Sequence, residues 1–411
     1  MSKVFLFDLD MTLVNSGALS ILRRAQLWNQ VKANLHLVKS FPPSGQIAPH
    51  DLPKLLRKAG HKVGIVTSSP KWYAEEIIKA FAIEHDVLIS HGDTTNHKPD
   101  PEPLNAALKA LGVGASKEVY YVGDDVADTE AAYHAGLTSI GIGWGLLTFS
   151  AVASAAPDLF LGDGSLLLRT GEFDGFGYAG EVLTSGRSFV DHWGTILRCE
   201  SDPQVYALGR YFTASDPRHG ASALCTAVLS LKNNDTHAEI LGQAVGRTGG
   251  NLDGWRPRYI VPVPPKPSQN RNRFEKVLVT AKQYLPESVN ILVDGLKCVK
   301  EVAGYKQMNG GERQEAIKGA FATGYNWHGN DVLLLDDVYT TGETVKECVR
   351  VLKASGAGEV RCLTLAGDQR AFIHKQCPSC HRSMKIRTNS QGQKFWGCSG
   401  YPHYCQNTEN L

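Results

Sequence analysis

Short apolar runs alternate with stretches of helical period along residues 1–168. The run at 3–9 predicts a buried strand, and Leu, Ile, Trp and Val at helical spacing predict helix over 18–38. A Pro/Gly loop, FPPSGQIAPH, separates these from a helix at 51–60 and a strand at KVGIVTSS. Helix 71–82, strand 87–90, helix 101–111, strand EVYYVGD and helix 126–135 continue the alternation. This order predicts an α/β unit, a parallel sheet with helices on both faces. Residues 169–203 are rich in Gly and aromatics with little helical period, and predict a linker or a small β insertion. A second α/β unit is predicted over 204–368, with strands at YIVPVP, VNILV, DVLLLDD and EVRCLTLAG. A short tail, 374–411, is organised around cysteines.

The length of 411 residues fits two or three domains. Apolar content of 42% and charged content of 20% suit globular units with sizeable cores. A formal charge of +2 leaves no whole-chain basic field, so charge is informative only domain by domain. MSKVFLFDLDMTLV carries acids inside its apolar run and does not read as a secretory signal. No uninterrupted apolar stretch reaches the ~18 residues of a membrane span. Of nine cysteines, five stand singly (Cys199, Cys225, Cys298, Cys348, Cys362) and four cluster in the tail, a distribution that predicts a reducing, cytoplasmic setting with one metal site.

The segment FLFDLDMTLVNS places Asp8 and Asp10 just past a buried strand, where an open α/β sheet puts its active site. Carboxylates at i and i+2 can divide the work, one attacking phosphorus and the other handling the leaving-group proton. Polar residues closing a strand would look the same, but three further segments point to phosphoryl chemistry. GIVTSSP sets Thr67 at the end of a second strand, HKPDPEPL supplies the cation Lys98, and YYVGDDVADTEAAYHAG supplies Asp124, Asp125 and Asp128 as hard oxygen ligands. These motifs, in this order, resemble the haloacid dehalogenase (HAD) superfamily of phosphohydrolases, and GIGWG at 141–145 resembles its phosphoglycolate-phosphatase branch. The resemblance implies a Rossmann-like parallel sheet with a small helical cap. It implies Asp8 as nucleophile, Asp10 as general acid/base, and Thr67 and Lys98 holding the phosphoryl group. It also implies Mg2+ at a carboxylate set drawn from Asp8, Asp10, Asp124, Asp125 and Asp128. The small cap predicts an open cleft that admits a large substrate or is closed by another domain.

In the second unit, LLLDDVYTTGET delivers Asp336 and Asp337, then Thr340, Thr341, Gly342, Glu343 and Thr344. Backbone N–H groups of such a loop, ahead of a helix start, can cradle a phosphate, and paired acids can take the hydrogens of vicinal ribose hydroxyls. An Asp/Thr-rich turn and helix cap is the plainer alternative. The stretch resembles the phosphoribosyl-pyrophosphate (PRPP) motif of type I phosphoribosyltransferases, and 204–368 resembles their ComF-like branch. LSLKNN with Lys232, YIVPVPPKP, NRNRFEK with Arg271 and Arg273, and KQMNGGERQEAIKGAF with Lys306, Gln307 and Arg313 follow the same order. The family pattern nearer Arg-Gly-Phe-Asn-Gln is replaced here by RFEK. The resemblance implies that Asp336 and Asp337 meet ribose hydroxyls, that Thr340 to Thr344 hold the 5′-phosphate, and that Val263 and Pro264 face pyrophosphate.

The tail places Cys377-x2-Cys380 about seventeen residues before Cys398-x6-Cys405, a spacing that suits a structural Zn2+ site, with His403 an alternative ligand. It resembles the C-terminal zinc ribbons of type IA topoisomerases. Between 375 and 394 five cations (Lys375, Arg382, Lys385, Arg387, Lys394) stand without an acid. With Phe395, Trp396 and Tyr401 they suit single-stranded DNA or RNA, cations on the backbone and rings on bases; Arg387, Lys394, Phe395 and Trp396 are the expected contacts. A ribbon that docks protein, its aromatics packed on the metal knuckle, is the alternative. The whole chain thus reads as a phosphatase fused to a PRPP-binding transferase, acting on nucleotide or nucleic-acid-linked ribose phosphates. The alternative is a nucleic-acid-binding factor whose middle unit only senses PRPP or a nucleotide.

Overall fold

The computed structural model describes residues 2–43, 47–145, 155–192, 194–269, 271–301, 315–373, 375–401 and 404–410. Two units result, one of Met1–Leu147, Pro157–Thr170 and Phe372–Leu411, the other of Thr148–Ala156 and Gly171–Ala371. The cysteine tail therefore belongs to the same unit as the N-terminal residues.

In the first unit, β1 (Val4–Phe7), β2 (Lys62–Val66), β3 (Val87–Ile89), β4 (Val119–Gly123), β5 (Thr138–Ile142) and β6 (Leu159–Leu161) form one sheet in the order β3-β2-β1-β4-β5-β6. Every pairing is parallel. Strands covered on both faces can be apolar at consecutive positions, which is why VFLF and VYYVG are buried throughout. The helices of this unit are α1 (Ser20–Arg24), α2 (Trp28–Ala33), α3 (Leu52–Lys58), α4 (Lys71–Ala80), α5 (Glu102–Leu111) and α6 (Val126–His134). Leu104, Ala107 and Leu108 of α5 and Ala131 and Ala132 of α6 pack with Leu6, Val66 and Tyr121 in one core. The helix predicted over 18–38 is broken: α1 and α2 are separated at Gln26, whose φ of 55° no α-helix continues. Strand β6 lies in a stretch whose pattern did not predict it.

The second unit contains α7 (Ala179–Thr184), the hairpin β7 (Leu197–Ser201) and β8 (Gln204–Ala207), β9 (Arg210–Tyr211), α8 (Ala223–Ser230), α9 (Ala238–Gly249), β10 (Tyr259–Pro262) and α10 (Glu275–Lys282). There follow β11 (Asn290–Ile291), the β12 (Lys297–Cys298) and β13 (Phe321–Ala322) pair, β14 (Val332–Tyr339), α11 (Glu343–Ala354) and β15 (Val360–Asp368). The main sheet runs β11-β10-β14-β15-β8-β7, with β9 also on β15. Part of the stretch expected as linker or β insertion, 169–203, thus supplies a helix and the antiparallel edge strand β7. Leu333, Leu335, Leu363 and Leu365 of the central strands meet Leu241, Val245, Val277 and Ala281 of α9 and α10 in the core.

The tail builds β16 (Met384–Thr388), β17 (Lys394–Cys398) and β18 (Thr408–Asn410), an antiparallel sheet in that order. Among the described residues no helix is long and apolar enough to cross a membrane.

Candidate active site

Strand β1 lies between β2 and β4, so the connections on its two sides lead to opposite faces of the sheet and leave a crevice at its carboxyl end. Asp8 and Asp10 enter that crevice and both are buried. Lys98 comes in from the loop before α5, its Nζ donating to Asp8 Oδ1 and Asp128 Oδ1 at 2.7 Å each and to the Tyr121 hydroxyl at 2.8 Å. The same hydroxyl donates to Asp128 Oδ1 at 2.9 Å. Asp124, just past β4, Asp128, in the first turn of α6, and Asp8 each bring a carboxylate oxygen to within 4.8 Å of the others. Gly123 makes this possible, since a Cβ there would lie 2.4 Å from the Asp128 carboxylate. Three converging hard-oxygen donors, Asp8 and Asp128 buried and Asp124 half-buried, suit a divalent cation such as Mg2+.

Asp10 stands outside this triad. Its carboxylate accepts from the Ser69 hydroxyl at 2.7 Å and the Tyr73 hydroxyl at 2.7 Å, and pairs with Arg23 at 2.7 Å. Thr67 is linked to it indirectly, its hydroxyl accepting from the Ser69 N–H at 3.1 Å. Asp10 and Asp125, also expected among the metal ligands, stand apart from the triad. The Asp10 carboxylate is committed to these three donors, and the Asp125 carboxylate caps α6, accepting the Ala127 N–H at 3.1 Å. Arg23, Ser69, Tyr73 and Tyr121 went unread in the sequence. Ser69 had a signal, the second hydroxyl after a strand that already delivers Thr67. Arg23 and Tyr73 had none, because their helices meet Asp10 only in the fold.

In the second unit Asp336 and Asp337 lie inside β14, three and two residues before its end, and Arg273 reaches both, at 3.3 and 3.1 Å. Burial, reinforced by Asp337 and opposed by Arg273, pushes the Asp336 carboxyl up to about 7. Gly342, at φ 83°, turns the chain into α11, whose first turn no side chain caps. Thr340 and Thr341 are exposed beside it, Thr344 is half-buried, and the Thr341 hydroxyl donates to Glu343. Open N–H groups at a helix start suit an anion. The Val263 N–H donates to the Leu335 carbonyl at 2.8 Å, and Pro264 follows half-buried. Arg271 is held by the Leu231 carbonyl and Asp235, and Lys232 is exposed. Lys306, Gln307 and Arg313 lie outside the described residues.

In the tail, Cys377, Cys380, Cys398 and Cys405 converge, with Sγ–Sγ distances of 3.7 Å (377–405) and 3.4 Å (380–398). Disulfides would need about 2.05 Å. A tetrahedral Zn2+ with ~2.3 Å bonds sets its sulfurs about 3.8 Å apart, so the donor set and spacing fit that ion. His403 lies outside the described residues. Trp396, expected as a nucleic-acid contact, lies in the core of the ribbon. At 8% exposure it packs with Cys377, Met384 and Cys398. Phe395 is half-buried opposite Arg387, and Lys394 is exposed.

The haloacid dehalogenase-like hydrolase family matches residues 23–142. Phosphoglycolate phosphatase of Yersinia pestis is 31% identical over 166 residues, covering 36% of this chain and 71% of that protein. The chain belongs to the haloacid dehalogenase-like hydrolases. Pyrophosphatase PpaX of Bacillus velezensis is 34% identical over 116 residues, covering 28% of this chain and 53% of PpaX. The chain spans about half the length of the first curated relatives it matches. A crystallised hydrolase from Pseudomonas syringae aligns with 22% identity and a TM-score of 0.34, over 42% of this chain and 99% of that one. The phosphoribosyl transferase domain family matches residues 289–396, a range that includes the Asp336–Thr344 loop and runs into the cysteine tail.

In this haloacid dehalogenase-like hydrolase burial pushes the Asp8 carboxyl up to about 7, with Lys98 opposing and Asp128 and Asp10 adding to the rise. Burial, then Asp8 and Asp128, push Asp124 up to about 8. Both would titrate near 3.9 in the unfolded chain, at about the usual aspartate value. Between about pH 4 and pH 8 the fold therefore holds protons that the unfolded chain has released, so this cluster's contribution to stability falls as pH rises. In Mg2+-free buffer the calorimetric midpoint is expected to fall between about pH 5 and pH 8.5, and added Mg2+ to flatten that slope. A midpoint that climbs through the same window without Mg2+ would contradict this account of the cluster.

Proposed function

We propose that the chain is a Mg2+-dependent phosphohydrolase working through an aspartyl-phosphate at Asp8, joined to a unit that binds PRPP or a related ribose phosphate. The observation that carries this is the grip of Lys98 on Asp8 and Asp128 beside Asp124. Lys98 holds one Asp8 oxygen, which aims the other at an incoming phosphorus and offsets charge between carboxylate and phosphate. Mg2+ held by Asp8, Asp124 and Asp128 would supply the remaining screening of the phosphoryl oxygens. The Asp8 oxygen bonds phosphorus as the ester bond breaks, and the leaving oxygen takes a proton from Asp10, which Arg23, Ser69 and Tyr73 orient. Water then splits the acyl phosphate, returning its proton to Asp10 and freeing phosphate and Asp8. The cysteine ribbon is read as a Zn2+-held module for single-stranded nucleic acid, and the substrate as a nucleotide or nucleic-acid-linked ribose phosphate.

A second reading is that the middle unit senses PRPP or a nucleotide without transferring it, and in either reading Arg273 must yield to the ribose. Its guanidinium occupies both carboxylates that a ribose diol would need. A phosphorus NMR time course with Mg2+ and PRPP, with and without a nucleobase mixture, separates the two. Pyrophosphate released only with an acceptor, and persisting in Asp8→Asn protein, supports transfer. Intact PRPP that still raises the thermal midpoint supports sensing.

A further inference from the structure

The ribbon is fastened to the phosphohydrolase unit beside the loop that carries Lys98. The Phe372 ring packs on Tyr133 of α6 at 5.1 Å between centroids, and the Ser383 N–H donates to Asn96 Oδ1 at 3.3 Å. His97, between Asn96 and Lys98, stacks on His91 with centroids 3.8 Å apart. Burial, then His91, Lys385 and Arg382, hold its imidazole down to about 4. Ser383, next to Arg382, therefore touches the residue two before Lys98. The ribbon cations carry rings: the Arg382 guanidinium lies 5.2 Å from the centroid of Tyr404, and that of Arg387 lies 5.7 Å from Tyr401. Tyr404 is 81% exposed and Tyr401 40%. Exposed arginine–tyrosine pairs of the ribbon are thus joined, through Ser383 and Asn96, to the loop that carries Lys98.

We infer that this surface is a track for a single-stranded polynucleotide, and that the phosphohydrolase unit removes the phosphate from its end. The inference rests on Asp8 as phosphoryl acceptor and adds the class of leaving group. Exposed rings backed by guanidinium groups offer stacking faces to bases, and the cations follow a phosphodiester backbone. A small sugar phosphate would span only the Lys98 end. An acidic peptide would use the cations and leave the rings idle. At the end of the track the Asp8 oxygen bonds the terminal phosphorus while the bond from phosphorus to the 3′- or 5′-oxygen breaks. That oxygen leaves with a proton from Asp10, and water hydrolyses the aspartyl-phosphate to inorganic phosphate.

The test uses the full chain with Mg2+ and single-stranded DNA and RNA oligonucleotides bearing a 3′- or a 5′-phosphate. The small reference substrate is p-nitrophenyl phosphate. The quantity read is the ratio of kcat/KM for oligonucleotide to that for the reference. In wild type this ratio is expected to be well above one for at least one oligonucleotide and to fall with salt. Tyr404→Ala and Arg382→Ala are each expected to lower it about tenfold, the order of one lost stacking contact. A ratio unchanged in both variants overturns the track, as does inhibition by polyglutamate matching that by an unphosphorylated oligonucleotide. Turnover of p-nitrophenyl phosphate that Asp8→Asn abolishes, with every oligonucleotide untouched, overturns the track and leaves the phosphohydrolase standing. Turnover of neither substrate removes both.

Discussion

Replacing Asp8 by asparagine is expected to cut phosphate release by about four orders of magnitude or more while the protein stays folded. The amide keeps the shape of the carboxylate but cannot donate the electron pair that forms the acyl phosphate. Folding should survive for an electrostatic reason. Asp8, Asp124 and Asp128 crowd within 4.8 Å, with Lys98 paired to two of them. Removing one charge relieves repulsion that burial amplifies, and Lys98 keeps its 2.7 Å partner Asp128. The thermal midpoint of the variant in Mg2+-free buffer should therefore equal or exceed that of the wild type. Lys98→Met is the informative contrast, because it strands buried carboxylates and should cost about 3–5 kcal/mol. Phosphate release from Asp8→Asn within tenfold of wild type would remove Asp8 from the nucleophile's role.

Removal of the Zn2+ proposed for the four cysteines is expected to unfold the ribbon. A sheet of three short strands with a core of Cys377, Met384, Trp396 and Cys398 buries little apolar surface of its own. Structural zinc contributes about 10–16 kcal/mol to such modules at neutral pH. Metal analysis should find one zinc per chain, and Cys398→Ser should abolish it. Hydrogen exchange followed by mass spectrometry reads the consequence, with protection across Met384–Cys398 lost in the variant and kept in the phosphohydrolase sheet. Undiminished protection of β16 and β17 without metal would show that packing alone holds the ribbon.

How much of this could be read from the chain alone follows from how local each signal is. Asp8, Thr67 and Asp124 announce themselves because each follows an apolar run that must be a buried parallel strand. Asp128 follows Asp124 by helical spacing and so reaches the same crevice. The break at Gln26 was hidden, since the residues on both sides keep helical period while one backbone angle reverses. Arg23 and Tyr73 meet Asp10 through helix placement, which no spacing encodes. The burial of Trp396 is not legible in the chain, because an aromatic among cations looks the same whether it faces bases or sulfur. The Val263 N–H was lost to the sheet because the strand pairing with β14 continues one residue past β10.

The hydrogen bond from Ser383 to Asn96 joins residues 287 apart in sequence, across a whole intervening unit. Residues 372–411 follow those of the Asp8 crevice by more than two hundred positions, so a chain truncated before Phe372 would carry the crevice residues without their companion ribbon. Partially made chains would then be general, unselective phosphatases, and selectivity would be conferred only on the finished polypeptide.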